Sequence, residues 1–222
     1  MKRWIDLPAA DRGSKLLGPG RRSRRWGPVR EGGGSMRLFI AVGFPVEIRR
    51  SIAALGSELG RHGVPARWVS YTDMHLTIKF LGEVPATRLD DVAAAMEEVA
   101  GVTDPIRLRF ERVGAFPSPR RPRVIWVGLE SGPRLRLLHD ALDRRMTEFG
   151  IPRENRPFRP HVTLGRASRD AGPGEFIDFE RRARAMHLEA EVDVREIDLM
   201  RSHREPTGVR YERLVSAGFG GV

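Results

Sequence analysis

A chain of 222 residues with 40% hydrophobic and 31% charged content suffices for one compact domain or two small lobes, and no run approaches the roughly 20 apolar residues of a membrane span. Cysteine is absent, which removes disulfides, thiolate catalysis and cysteine-based zinc sites together and makes a reducing cytoplasm the expected location; no apolar run follows Lys2 and Arg3 to form a signal peptide. The net charge of +10 comes almost wholly from arginine and favours a polyanionic partner, although an arginine-rich proteome would raise the same charge with no partner involved.

Residues 1–35 differ from the rest. They hold nine Lys/Arg against three Asp/Glu, the run Arg21-Arg22-Ser23-Arg24-Arg25, and Gly32-Gly33-Gly34-Ser35. This composition predicts a disordered basic extension, either an arm that grips RNA or a segment with no structural role, and places the folded domain at 36–222.

From Met36 onward, strands and helices alternate. Residues 37–44 (RLFIAVGF) read as a strand, and Pro45 suits the first turn of a helix over 46–61 with Ile48, Ile52, Leu55 and Leu59 inward. A short strand covers 67–69. Residues 74–81 form the next strand, ended by Gly82, and contain His75-Leu76-Thr77-Ile78. Alternation places His75 and Thr77 on one face, about 7 Å apart, with Leu76 and Ile78 on the other. A helix at 86–100 turns Leu89, Val92, Ala93 and Met96 inward. Strands at 106–114 and 124–129 flank a proline- and arginine-rich loop, 116–123, and a helix covers 135–149. Residues 161–166 repeat the earlier pattern as His161-Val162-Thr163-Leu164. A short helix at 175–185 and strands at 187–201 and 210–219, joined by a turn at Pro206-Thr207-Gly208, complete the chain. Strand, helix, motif strand and helix occur in both halves. The predicted architecture is α+β: two similar lobes, each a mainly antiparallel sheet backed by helices, with the motif strands facing each other across a central cleft.

A single His-x-Thr triplet is most simply a half-buried strand histidine. Two copies in equivalent places, each with apolar residues at both intervening positions, point to a shared site that offers two imidazoles and two hydroxyls to one tetrahedral anion. Histidine donates or accepts a proton at neutral pH, and two of them flanking a phosphorus suit an in-line displacement, with Thr77 and Thr163 holding the non-bridging oxygens. Zinc sites with an open position usually add a third His, Asp, Glu or Cys, whereas threonine stands here, so no metal and no cofactor are expected. Asp73, two residues before His75, either serves the preceding turn or orients the imidazole; Arg159 holds the equivalent place before His161. Arg166 is placed to orient or neutralise the anion, and Arg120, Arg121 and Arg123 to meet a nucleic-acid backbone or simply solvent. Phe39, Phe80 and Trp126 are available to stack on a base, although their strand pattern favours core packing. His62, His139, His187 and His203 lack a threonine two residues on and are assigned to surface or packing.

The segments HLTIKFLGE and FRPHVTLGR resemble the paired signatures of the two-histidine phosphoesterases. RLFIAVGFP and RVIWVGL resemble the branch called RNA 2′,3′-cyclic phosphodiesterase, once named 2′-5′ RNA ligase. The similarity runs from Met36 to about Phe219. It implies a two-lobed fold, metal-free opening of a terminal 2′,3′-cyclic phosphate to a 2′-phosphate, and a reversible 2′-5′ joining activity. It further implies that His75 donates the proton to the 3′ leaving oxygen, that His161 accepts the proton of water, and that Thr77 and Thr163 hold the phosphate. The expected partner is RNA with such an end, tRNA fragments included, met by a monomer away from membranes. Two other readings stay open: a related enzyme for a small cyclic nucleotide or ADP-ribose 1″,2″-cyclic phosphate, and a noncatalytic RNA-end-binding protein. Two intact histidines argue against the latter.

Overall fold

The computed structural model describes residues 34–130, 132–206 and 208–220. The predicted basic extension, apart from its last two residues, lies outside them. Ser35 already pairs with Pro85, so the first strand starts one residue ahead of Met36.

These residues form β1 (Ser35–Gly43), α1 (Val46–Arg61), β2 (Ala66–Trp68), β3 (His75–Pro85), α2 (Leu89–Gly101), β4 (Ile106–Ser118), β5 (Arg121–Leu129), α3 (Pro133–Arg145), β6 (His161–Ala167), α4 (Phe179–Ala185), β7 (Glu191–Val194), β8 (Glu196–Glu205) and β9 (Gly208–Gly218). The strands join in the order β7-β4-β5-β6-β3-β1-β8-β9, with β2 added on β6, and the pairing is antiparallel. The α+β architecture is the predicted one. Its two halves, β7-β4-β5-β6 with β2 added and β3-β1-β8-β9, meet where β3 touches β6 at the single pair Leu76 and Val162. The motif strands are therefore neighbours rather than opposed walls.

Alternation along the strands divides the sheet into two faces. Leu38, Ile40, Val42, Leu76, Ile78, Ile125, Val127, Val162, Leu164, Ile197 and Leu199 are buried on one face, against Ile52 and Leu59 of α1, Val92 and Met96 of α2 and Leu138 and Leu142 of α3. The helices exchange sides. Helix α1, from the first half, packs on β6 and β2, whereas α3, from the second half, packs on β3 and α2. Trp68 seals the first of these contacts. A Cβ built on Gly60 or Gly165 would approach its ring to 2.9 or 2.7 Å, so α1 and β6 close on the indole only because both positions lack a side chain.

Three expectations about element bounds are corrected. Residues 116–123 are not a loop. Strands β4 and β5 continue to Ser118 and Arg121 and close through Pro119 and Arg120 as a tight hairpin, because Ala115, Ile125 and their ladder extend the sheet past Gly114. Residues 187–201 are not one strand. Strand β7 pairs with β4 at one end of the sheet and β8 with β1 near the other, separated only by Arg195. One residue can link opposite ends only if the sheet curls until they approach, and Phe219 N–H closes the seam on the Arg195 carbonyl at 2.7 Å. Strand β3 likewise runs past Gly82 to Pro85.

The segment before β6 is held by a buried ion cluster. Lys79, only 1% exposed, reaches the Asp143 carboxylate of α3 at 2.7 Å and the Pro152 carbonyl at 2.9 Å. Asp143 also accepts from Arg153 (2.9 Å) and from the Glu154 N–H (3.0 Å). Burial alone would push this carboxyl up, but these hydrogen bonds and the Lys79 charge bring it down to about 2. Further along, Phe158 stacks on His139 of α3 at 4.2 Å. The chain leading to His161 is thus pinned at two points.

Candidate active site

The contact of Leu76 with Val162 organises the site. In an antiparallel register about that pair, His75 lies toward Thr163 and Thr77 toward His161, so the two triplets are related by a local twofold. All four side chains are partly exposed on the face opposite the helices, and the charge of His161 acts on His75.

Both imidazoles are anchored in the same way. His75 Nδ1 is 2.7 Å from the Asp73 carbonyl oxygen, and His161 Nδ1 is 2.8 Å from the Arg159 carbonyl oxygen. A carbonyl only accepts, so Nδ1 carries the hydrogen in each ring and Nε2 is the nitrogen left to exchange protons. Asp73 therefore orients His75 through its main chain, which is why Arg159 can occupy the matching place. Its side chain does not cap the turn either: Ser70 Oγ accepts the Thr72 N–H of that turn.

Each ring also has aromatic walls. Phe39 lies 5.0 Å from His75, and Tyr211 meets it edge-on at 4.9 Å. Phe116 meets His161 edge-on at 5.1 Å, with Trp126 at 6.2 Å. Burial holds both histidines below their ordinary value despite their carbonyl hydrogen bonds; the neighbouring charge, His161 for His75 and Arg166 for His161, adds to the lowering.

A bulge follows each motif at the same place. Strand β1 skips Ile78, pairing Ala41 with Thr77 and Ile40 with Lys79, and β5 skips Leu164, pairing Trp126 with Thr163 and Ile125 with Gly165. The extra residue shifts the alternation by one. Phe80 and Arg166, each five positions after its histidine, consequently return to the site face. Phe80 is 58% exposed there, whereas Phe39 is buried beneath His75. Arg120 lies in the β4–β5 turn and Arg123 is exposed beside Val124; no contact among the described residues ties either to the motifs. The other four histidines lie outside the site: His62 caps α1, His139 is buried on Phe158, and His187 and His203 meet Glu189 and Glu212. Tyr211 was not among the expected site residues. It sits in the last strand, in no motif, and only the path β3-β1-β8-β9 carries it to His75.

Among the described residues, no group of three or more His, Asp or Glu side chains converges to hold a metal ion, and no helix is long and apolar enough to cross a membrane. The groups that surround the imidazoles, hydroxyls and a guanidinium, suit an anion that must be held while protons move.

Residues 44–206 match the family model of the 2′-5′ RNA ligase superfamily. The RNA 2′,3′-cyclic phosphodiesterase of Archaeoglobus fulgidus is 34% identical over 180 residues, covering 81% of this chain and 98% of that protein. The enzyme of the same name from Thermotoga maritima is 31% identical over 191 residues, covering 84% and 97%. Among solved structures, TT0787 of Thermus thermophilus superposes with a TM-score of 0.71 at 30% identity over 84% of this chain and 99% of that one. E. coli LigT complexed with 3′-AMP gives 0.68 at 27% identity over 83% and 98%.

Proposed function

The chain belongs to the 2′-5′ RNA ligase superfamily, and on that premise we propose that it is an RNA 2′,3′-cyclic phosphodiesterase that opens the terminal cyclic phosphate to a 2′-phosphate. The paired imidazoles with both Nδ1 atoms tied to main-chain carbonyls carry this reading. Water attacks phosphorus as Nε2 of His161 takes its proton. The bond from phosphorus to O3′ breaks, Nε2 of His75 gives its proton to O3′, and the phosphate stays on O2′. Thr77 and Thr163 donate to the non-bridging oxygens, and Arg166 offsets the charge that grows there. A 5′-hydroxyl in place of water gives 2′-5′ joining by the same displacement. Ends of this kind on tRNA fragments fall within the class, a chain without cysteine suits the cytoplasm, and the protein acts as a monomer. The two triplets favour an enzyme over a pure RNA-end binder, because binding alone needs no pair of proton-transfer groups.

The direct test is a short RNA ending in a 2′,3′-cyclic phosphate, incubated with the protein in EDTA. Hydrolysis to a 2′-phosphate end is expected. Activity lost to the chelator and restored by a divalent metal overturns the metal-free mechanism, and a 3′-phosphate product overturns the assignment of the leaving oxygen.

The pH profile follows from the same groups. One ring must be charged and the other neutral, so kcat/KM is bell-shaped, and its limbs belong to the free enzyme's coupled pair. Both rings lie below the ordinary 6.5. Near pH 7 both are mostly neutral, and the acid gains its proton as pH falls until the base is protonated too. The maximum of kcat/KM is therefore expected below pH 6.5, and a profile that climbs steadily from about pH 5 to 9 contradicts a histidine acid.

A further inference from the structure

Strands β1 and β8 pair only from Leu38 with Arg201 to Ala41 with Asp198. Beyond that point each stays with its other partner: β1 with β3 out to Ser35 and Pro85, and β8 with β9 out to Glu205 and Gly208. The two strand pairs splay, and a polar cavity of about 270 Å³ opens between them, lined by Arg37, Arg201, Ser202, His203, Arg204 and Glu83 among others. Elsewhere on the sheet arginines are matched by acids, as in Arg107 with Asp193, Arg109 with Glu191 and Arg210 with Glu205. Among the described residues no carboxylate pairs with Arg37, Arg201 or Arg204. Two acids stand nearby: Glu83, which also lines the cavity, accepts from Ser35 Oγ at 3.1 Å, and Glu212 meets His203 Nε2 at 2.7 Å. Alternation along β8 puts Arg204 on the same face as Arg37 and the histidines, whereas Arg201, paired with Leu38, lies on the other face, so Arg37 and Arg204 line the cavity on the site side with their donors unspent.

This cavity neighbours the histidine site along β1. Arg37 lies two positions from Phe39 on the same face of β1, about 7 Å along the strand, and Phe39 touches His75. The charges of Arg166, Arg37 and Arg67 all act on Tyr211, the aromatic wall of His75. The β8–β9 hairpin also reaches across to β2, where a Cβ on Gly208 would stand 3.0 Å from Arg67 Nη1. Arginines from four strands therefore mark a track that starts at the phosphate-holding triplets and ends in the splay. A mononucleotide has nothing to place at its far end, whereas an oligonucleotide has a phosphodiester at every step.

We propose that the splay between the β1–β3 and β8–β9 strand pairs is a second phosphate subsite, which holds an internal phosphodiester of the RNA one or two nucleotides upstream of the reacting end through Arg37 and Arg204. The subsite rests on the phosphodiesterase reading and adds to it a reason for discrimination: an oligonucleotide gains a contact that a cyclic mononucleotide lacks.

The test compares kcat/KM for a hexanucleotide ending in a 2′,3′-cyclic phosphate with that for a 2′,3′-cyclic mononucleotide. It uses the full chain, the variant Arg37→Gln/Arg204→Gln, and a control, Arg61→Gln/Arg144→Gln, which removes the same charge from α1 and α3. The subsite variant is expected to lower the hexanucleotide-to-mononucleotide ratio by about 10-fold or more, with the loss in KM. It should also reduce the dependence of log KM on log salt by about 0.7 for the one phosphate released. Because the readout is a ratio on one preparation, any unfolded fraction cancels. A ratio that stays at the wild-type value, or falls equally in the control, overturns the subsite. A wild-type protein that opens neither substrate overturns the phosphodiesterase reading instead.

Discussion

Replacing either His75 or His161 with alanine is expected to lower the turnover of a cyclic-ended RNA by about 10²- to 10⁴-fold, the usual contribution of a positioned acid or base. Each ring sits at the half-exposed face of its strand and is held by one carbonyl and two aromatic neighbours, so the fold should survive the loss. In the proposed mechanism the two act on one displacement, so the double variant should be far less impaired than the product of the single losses implies. Thr77→Ala and Thr163→Ala should cost less than either histidine, since in the proposed mechanism each removes one donor to the phosphate and no proton transfer. Single-turnover rates with circular dichroism of each variant check this. Near-wild-type turnover in either histidine variant contradicts its assigned part.

The largest expected loss of stability lies away from the chemistry. Asp143→Ala leaves Lys79 buried beside the Pro152 carbonyl and a more distant Glu154 carboxylate at 3.9 Å. Removing one partner of a buried ion pair costs about 3–5 kcal/mol, whereas replacing both with apolar groups of similar size costs far less. Thermal unfolding should therefore show a large drop for Asp143→Ala and substantial recovery in Lys79→Met/Asp143→Leu. A single variant within about 1 kcal/mol of wild type, or a double variant no better than the single, refutes the accounting. Acid provides a second reading. The folded carboxyl titrates at about 2, well below the ordinary carboxylate value near 3.9. Its contribution is thus complete above about pH 4 and is lost as pH falls toward 2. That part of the acid limb should vanish in the double variant.

These two expectations differ in how visible they were in the chain. His75 and His161 announce themselves because a strand repeats every two residues, so His-x-Thr is a statement about one face that needs no knowledge of any other strand. Lys79 reads as one more charged residue in a strand. Its burial follows from the bulge at Ile78, which turns it toward the core, and from Asp143, 64 positions later in α3. Neither the bulge nor the partner has a local signature. The same bulge geometry at Leu164 brings Arg166 to the face of the histidines, where simple alternation from His161 would have turned it toward the core.

Local periodicity alone determined the helix at 46–61, the two motif strands, the α+β class and the pairing of imidazole with hydroxyl, because each depends on residues within a few positions of one another. Tertiary structure decided the rest. It split 187–201 into β7 and β8 at separate ends of the sheet, since strand order is set by which edges remain unpaired and by how far the sheet curls. It brought Tyr211 to His75 across 136 positions of chain. It also settled what orients the imidazoles. Asp73 and Arg159 share no side-chain chemistry, yet the backbone turns both carbonyls onto Nδ1, and a main-chain acceptor leaves no trace in the identity of the residue that supplies it.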